Sequence, residues 1–84
     1  MNKNIEVNDF TKVITNYKLP IITIYENPED MPGYYVARLF DGSKPTYYYA
    51  KRKRLKDLKK TIPHCMINFG RTGNDVSCLL ETWI

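Results

Sequence analysis

The chain has 84 residues, of which 43% are hydrophobic, 13% aromatic and 26% charged, and its formal net charge is +4. This length supports one hydrophobic core, so we predict a single domain over residues 1–84 that is too apolar to be disordered. No apolar run approaches the roughly 18 residues of a membrane span, and the polar residues after Met1 are unlike a signal peptide, which together predict a cytoplasmic protein.

The N-terminal part of the chain has the pattern of an amphipathic helix over residues 8–18. Asn8 is a good N-cap residue, and Asp9 places a negative charge near the positive end of the helix dipole. Pro20 is incompatible with continuation of the helix. The apolar side chains have the spacing of one helix face: Phe10, Val13, Ile14 and Tyr17.

Three strands are predicted next. Residues 21–25 are rich in β-branched side chains and are bounded by prolines, residues 34–40 follow a Pro- and Gly-containing loop over 26–33, and residues 46–49 follow turn residues 41–45. The short connections favour an antiparallel meander.

A second helix is predicted over residues 51–62, where Leu55, Leu58 and Ile62 recur at helical spacing before Pro63. Asp57 is the only acidic residue in the basic segment, defined here as residues 51–60. This segment holds seven of the thirteen basic residues: Lys51, Arg52, Lys53, Arg54, Lys56, Lys59 and Lys60. Four of them would lie in the first helical turn, where the helix dipole disfavours positive charge.

Two further strands, over residues 65–69 and 76–84, are predicted to form a hairpin. With Phe69 opposite Val76, the side chains of Cys65 and Cys78 would be buried on one face, which is the usual position of free cysteines. The element order is then α-β-β-β-α-β-β, an α+β fold in which two helices cover one face of an antiparallel sheet of about five strands.

Few residues could support catalysis or bind a metal. His64 is the only histidine, and the adjacent Cys65 would point to the opposite side of a strand. Two cysteines and one histidine do not close a zinc site. The Gly70–Gly73 loop lacks the Lys-Ser/Thr and the helix of a phosphate-binding loop. We predict no catalytic residue, no metal site, no cofactor and no enzymatic activity.

The basic segment is the strongest functional signal, and three interpretations of it are open. It binds the phosphates of a nucleic acid, it binds an acidic protein, or it is a solvated helix face. The order α-β-β-β-α also resembles the topology of the double-stranded-RNA-binding domain. That family's Lys-Lys-x-Ala-Lys helix entry is matched only by Lys51-Arg52-Lys53-Arg54, and its loop histidine is missing from residues 26–33.

Aromatic side chains form a second candidate surface. Two short helices do not cover both faces of a five-stranded sheet, and Tyr and Trp are enriched at binding surfaces. Two interpretations are open: these large side chains thicken a small core, or this face binds a partner or a second copy of the chain, with Tyr48 or Trp83 in a homodimer contact. Met66 and Leu79 would lie on the same exposed face. The predicted aromatic surface comprises Tyr34, Tyr47, Tyr48, Tyr49 and Trp83.

The segments LPIITIYENPED (residues 19–30), YVARLFD (35–41) and LETWI (80–84) resemble short proteins of Gram-positive bacteria, their phages and mobile elements. The resemblance implies a cytoplasmic, non-enzymatic protein that binds and blocks a host protein or ribonucleoprotein complex, such as a CRISPR defence system. The alternatives are a direct RNA- or DNA-binding module that uses the basic segment as a phosphate clamp, and a small homodimeric structural protein.

Overall fold

The computed structural model describes residues 4–70 and 79–84, and it shows a mixed five-stranded sheet with short helical elements. Along the chain these are β1 (Ile5–Glu6), a 3₁₀ helix (Val13–Asn16), β2 (Pro20–Glu26), β3 (Tyr35–Asp41), β4 (Lys44–Arg52), α1 (Leu55–Lys59) and β5 (Leu79–Trp83). The strand order is β1-β4-β3-β2-β5. The α+β class is therefore confirmed.

The predicted meander of the three central strands is confirmed. β2 pairs with β3 over its whole length, and β3 pairs with β4, in both cases antiparallel. The prediction that the whole sheet is antiparallel is wrong, because β1 pairs in parallel with β4 through Ile5 and Tyr48. A two-residue strand among polar neighbours has too little periodicity to be found from the sequence.

The predicted helix over residues 8–18 is wrong, since only the single 3₁₀ turn Val13–Asn16 forms. The Asp9 carboxylate accepts the backbone N–H of Thr11 at 2.6 Å, closing a tight turn before that helix. This hydrogen bonding lowers the pKa of Asp9 below its usual value. The backbone N–H of Phe10 donates to the Thr61 carbonyl, and the N–H of Ile14 donates to the Phe10 carbonyl at 3.0 Å. Phe10 is buried, and Val13, Ile14 and Tyr17 are partly buried against the same core. The apolar spacing therefore reflects one-sided packing of a segment that forms only a short helical turn.

The second predicted helix, over residues 51–62, is confirmed only at its centre, as α1. β4 continues through Lys51 and Arg52 because β3 offers Val36 and Tyr35 as partners for them. Arg54 is still extended where α1 begins. The expected dipole conflict is smaller than predicted, since Lys51 and Arg52 lie in β4 and Asp57 lies in the first turn, but Arg54 and Lys56 still lie at the N-terminal end of α1. With no first helix and this short second one, the α-β-β-β-α order of the RNA-binding domain is not formed.

The predicted C-terminal hairpin is correct in its partners but wrong in its register. Asn68 lies opposite Trp83, and Ile67 and Ile84 exchange two backbone hydrogen bonds of 2.8 and 2.9 Å. Residues 67–70 thus line the outer edge of β5 as a short extended segment. Cys65 is exposed and not buried, because the chain has not yet joined the sheet there. Val76 and Cys78 lie outside the described residues.

One face of the sheet, the core face, packs against α1 and the N-terminal segment. Its fully buried side chains include Phe10, Ile22, Ile24, Leu39 and Leu58, and Met66 is also buried here, contrary to the prediction that it is exposed.

We call the other side the open face. The loop over residues 27–34 covers one half of it, because Asp30 forms a salt bridge with Arg38 and Pro28 is buried. Beneath this loop Val36 is fully buried and Leu79 is 8% exposed, so the expected exposure of Leu79 is also wrong.

Candidate functional site

The basic segment lies at one end of the sheet, where β4 leaves it and α1 begins. Its first half is strand and connection and its second half is a short helix, so the prediction of one basic helix over residues 51–60 is wrong. Lys51 and Arg52 end β4, Lys53 and Arg54 form the connection, Lys56 and Lys59 lie in α1, and Lys60 follows it.

Within residues 4–70 and 79–84, three of the seven cations interact with a carboxylate or an aromatic ring. Lys59 Nζ lies 3.1 Å from a carboxylate oxygen of Glu81 and ties α1 to β5. Lys60 Nζ lies 3.9 Å from Asp57, a pair on the surface of the helix. The Nζ atom of Lys51 lies 4.8 Å from the ring centroid of Tyr34, which is cation–π geometry. These three side chains have structural contacts already.

The other four cations form what we call the cationic strip: Arg52, Lys53, Arg54 and Lys56. Within residues 4–70 and 79–84, none of them lies within salt-bridge distance of a carboxylate. Lys53, Arg54 and Lys56 are exposed, and Arg52 is half-buried. These four cations are near one another in the sequence, and the described part of the chain does not neutralise their charge with a carboxylate.

Arg52 is the best-positioned member of the strip. Its Nη1 atom donates a 2.6 Å hydrogen bond to the carbonyl oxygen of Lys51, which holds the guanidinium beside β4. A guanidinium has five N–H donors in a planar fork that matches the oxygens of a phosphate, and this bond uses one of them. Arg52 can therefore bind an anion with little further loss of side-chain freedom.

The predicted aromatic surface is divided among different parts of the fold. Tyr48 and Trp83 are half-buried against the core, and the Trp83 indole N–H donates to Glu81 at 3.0 Å. Tyr49 lies opposite Arg38 on the open face. Tyr47 is 55% exposed at an irregularity in the β3–β4 pairing, and at about 3.3 Å per residue it lies roughly 20 Å along the chain from Lys53.

The tyrosines nearest to the cationic strip are Tyr34 and Tyr35. Tyr34 contacts Lys51, and Tyr35 is the cross-strand partner of Arg52. Sequence reasoning included Tyr34 but missed Tyr35, because it ended the third strand at residue 49 and so left Arg52 without a partner. The sequence did contain a signal that the strand continues past residue 49. Ala50 is an apolar residue two positions after Tyr48, so it extends the strand alternation towards the basic residues, and in the structure it is buried.

The described residues do not assemble a metal site or a nucleophile–base pair. In residues 4–70 and 79–84, no three His, Cys, Asp or Glu side chains lie close enough to hold a metal ion. His64 and Cys65 are both exposed. No helix in the described part of the chain is long and apolar enough to cross a membrane. Among the described residues, the cationic strip is therefore the strongest candidate for a functional site.

Comparison with known proteins does not place the chain in a family. No protein-family model matches it, and no curated protein or solved structure is significantly similar to it.

Proposed function

We propose that this protein is a non-enzymatic binding protein that blocks a host nucleic-acid-handling complex, and that the cationic strip is its contact with that complex. The observation that carries the proposal is the lack of carboxylate partners for four neighbouring cations in the described structure. Exposed, unneutralised cations bind phosphates with release of counterions, which makes the affinity strongly dependent on salt.

The surroundings of the strip favour a phosphate-bearing partner over a purely protein one. Protein–protein interfaces take their binding energy mainly from buried aromatic and arginine anchors, whereas two of the four strip residues are lysines, which are depleted at such interfaces, and Arg54 is exposed. The apolar neighbours of the strip, Leu55 and Leu58, are turned into the core. The strip offers charge without an apolar anchor, as expected of a surface that contacts a nucleic-acid backbone.

The class of the target follows from the resemblance to phage and mobile-element proteins. Small proteins of that kind often act by occupying a site on a host macromolecule. A nucleoprotein defence complex, such as a CRISPR effector, presents both phosphates and protein surface. Direct binding of free RNA or DNA by the same strip is the second candidate, favoured by the fixed guanidinium of Arg52.

A charge-reversal variant tests the proposal. Lys53→Glu with Arg54→Glu changes two exposed side chains that have no described partner, so the fold should persist. The matched control, Lys12→Glu with Lys18→Glu, alters net charge equally at two exposed positions outside the basic segment. We expect tagged wild type and control to retain a nucleic-acid-handling complex from a bacterial lysate and the strip variant to lose it.

The same variants separate the two candidates. If the strip neutralises four phosphates of a free duplex, log affinity falls against log salt with a slope of about −3.6, and the variant flattens that slope by about half. Nuclease-sensitive capture of many nucleic-acid-associated proteins would favour direct binding. Equal capture and equal salt dependence for wild type and the strip variant would contradict both.

A further inference from the structure

The Glu81 carboxylate is bonded to two different parts of the fold. Glu81 is the cross-strand partner of Ile24, a core residue, so it lies on the core face, against which α1 packs. One carboxylate oxygen, Oε2, lies 3.1 Å from Nζ of Lys59 in α1, and the other, Oε1, accepts the indole N–H of Trp83 at 3.0 Å. The Glu81 side chain is only 16% exposed. The pair with Lys59 is therefore partly shielded from water.

Lys59 adjoins the cationic strip along the surface of α1. Lys56, a member of the strip, and Lys59 are three residues apart in this helix. Residues at that spacing are neighbours on a helix surface, with about 5–6 Å between their Cβ atoms. An ammonium group at this position would extend the strip by one cation if no carboxylate held it. In the described structure, Glu81 is the carboxylate that neutralises it.

The second salt bridge of the basic segment is weaker. Lys60 Nζ lies 3.9 Å from Asp57, and the two side chains are 72% and 49% exposed. Exposed pairs of this kind contribute little, because water and salt screen them and because two side chains must be ordered. Among the described residues, Glu81 is therefore the carboxylate that holds a cation of the basic segment most firmly.

We propose that Glu81 limits phosphate binding by the basic segment, because it holds Lys59 in an internal salt bridge. This role of Glu81 rests on the proposed function and adds the residue that sets the number of phosphate contacts. A phosphate competes for Lys59 at a disadvantage. The Glu81 carboxylate is already fixed by β5 and by the Trp83 indole, whereas the nucleic acid must be ordered when it binds. Lys59 therefore stays on Glu81 while the strip binds.

The proposal gives Glu81 opposite effects on stability and on binding. Glu81→Gln removes the salt bridge between α1 and β5 and should lower the midpoint of urea unfolding. The amide oxygen of glutamine can still accept the Trp83 N–H, so the fold should persist. Lys59 is then released to bind one more phosphate, and the affinity rises. A residue that only supported the shape of the site would, when substituted, lower both stability and affinity.

Salt-dependent binding to a short DNA duplex measures the number of phosphate contacts. Log affinity falls against log salt with a slope of about 0.9 for each phosphate neutralised, so we expect the Glu81→Gln slope to be about 0.9 steeper than that of the wild type. Lowering the salt from about 200 to about 50 mM then raises the affinity of the variant about 3.5-fold more than that of the wild type.

Glu29→Gln is the matched control for this measurement. It removes the same charge at an exposed residue that forms no salt bridge in the described part of the chain. Its slope should equal that of the wild type. A Glu29→Gln slope as steep as that of Glu81→Gln would show that net charge, and not release of Lys59, is responsible, and would overturn the proposal.

Lys59→Gln, alone and combined with Glu81→Gln, assigns the added contact to Lys59. In the wild-type background it should leave the slope unchanged, because Lys59 makes no phosphate contact there. In the Glu81→Gln background it should remove the added slope of about 0.9. Such a double-mutant cycle isolates the coupling between the two side chains.

Failure of this role and failure of the proposed function give different results. A wild type that binds the duplex in a salt-dependent way, with a slope that Glu81→Gln does not steepen, overturns the role of Glu81 alone. A wild type that does not bind the duplex at about 50 mM salt overturns the phosphate contact, and the role of Glu81 with it. Trp83 is the only tryptophan, so its emission shows whether Glu81→Gln folds. If that variant does not fold, Lys59→Gln alone decides, because a flatter slope would show that Lys59 binds phosphate in spite of Glu81.

Discussion

At the scale of single residues, Gly42 determines how β3 turns into β4. Asp41 and Lys44 are cross-strand partners, so Gly42 and Ser43 form a two-residue turn. Gly42 has φ +61°, and among the described residues other than glycine only Asn27 has positive φ. Positive φ at the first turn position alone is the type II′ geometry, which matches the twist of the flanking strands. The Gly42 N–H also donates to Leu19 at 2.8 Å and fixes the start of β2 beside the turn.

Gly42→Ala should destabilise the protein by about 1–2 kcal/mol, because an L side chain disfavours this backbone conformation. An added Cβ would meet only the Leu19 side chain at 3.7 Å, so conformation and not a clash sets the cost. Urea denaturation measures the effect, and Ser43→Ala, in the same turn, is the control. Equal midpoints for the two variants would show that the turn does not need positive φ.

At the scale of elements, the N-terminal segment is held by one buried side chain and by hydrogen bonds to another element. Phe10 is fully buried in the core, and its N–H donates to the Thr61 carbonyl at 2.9 Å. The Thr61 hydroxyl in turn donates to Leu58 at 2.7 Å and secures the end of α1. The N-terminal segment and α1 therefore form one layer on the core face, without an N-terminal α-helix.

Phe10→Ala should destabilise the protein by about 3–5 kcal/mol, the usual cost of removing a fully buried phenylalanine side chain. Ile14→Ala, on the same segment but only half-buried, should cost clearly less. Thermal unfolding followed by circular dichroism provides both values. Equal losses would mean that the segment is held by a distributed helical face, as its spacing suggests, and not by Phe10.

The three central strands could be predicted because their ends are set by residues that are close to them in the sequence. Pro20 at the start of β2 and Gly42 between β3 and β4 fix the ends of strands whatever the tertiary structure. The second helix was overestimated because β3 takes Lys51 and Arg52 into the sheet. In the first, the apolar side chains that predict a helix face do pack against the core, but only a single 3₁₀ turn forms among them.

The positions of the candidate site residues were predictable only in part. The density of charge at residues 51–60 is visible in the sequence. The sequence does not show that Lys59 forms a salt bridge with Glu81 of β5, whereas Lys53 has no carboxylate partner among the described residues. The placement of Tyr47 and Tyr48 depends on the irregular pairing near Leu39, which side-chain alternation does not predict. Cross-strand register likewise brings Ile21, Phe40 and Pro45 side by side from separate parts of the chain.

At the scale of the whole molecule, β2 is the strand that joins the local meander to the C-terminal part of the chain. It has β3 on one side and β5 on the other, and it contributes Ile22 and Ile24 to the core. β5 adds the buried Leu79 and Thr82 and, through Glu81, the salt bridge to α1. The meander alone therefore leaves one edge of β2 unpaired.

A chain that ends at residue 78 should lose cooperative unfolding and the dispersion of its amide NMR signals, because the edge of β2 and the Leu79 site are then open to water. A chain that ends at Trp83 retains β5 and should keep both properties, as the control. A native-like spectrum for the shorter chain would show that the meander with α1 is sufficient to fold.

The pairing of Ile22 with Trp83 also has a consequence for biosynthesis. Chains emerge from the ribosome N-terminus first, so β2, β3 and β4 leave it and can pair before β5 is available. Throughout that interval β2 presents an unpaired edge, the kind of template on which nascent chains aggregate. This sheet is therefore completed only after β5 has left the ribosome, and a delay in the emergence of β5 would prolong the most aggregation-prone stage of the chain.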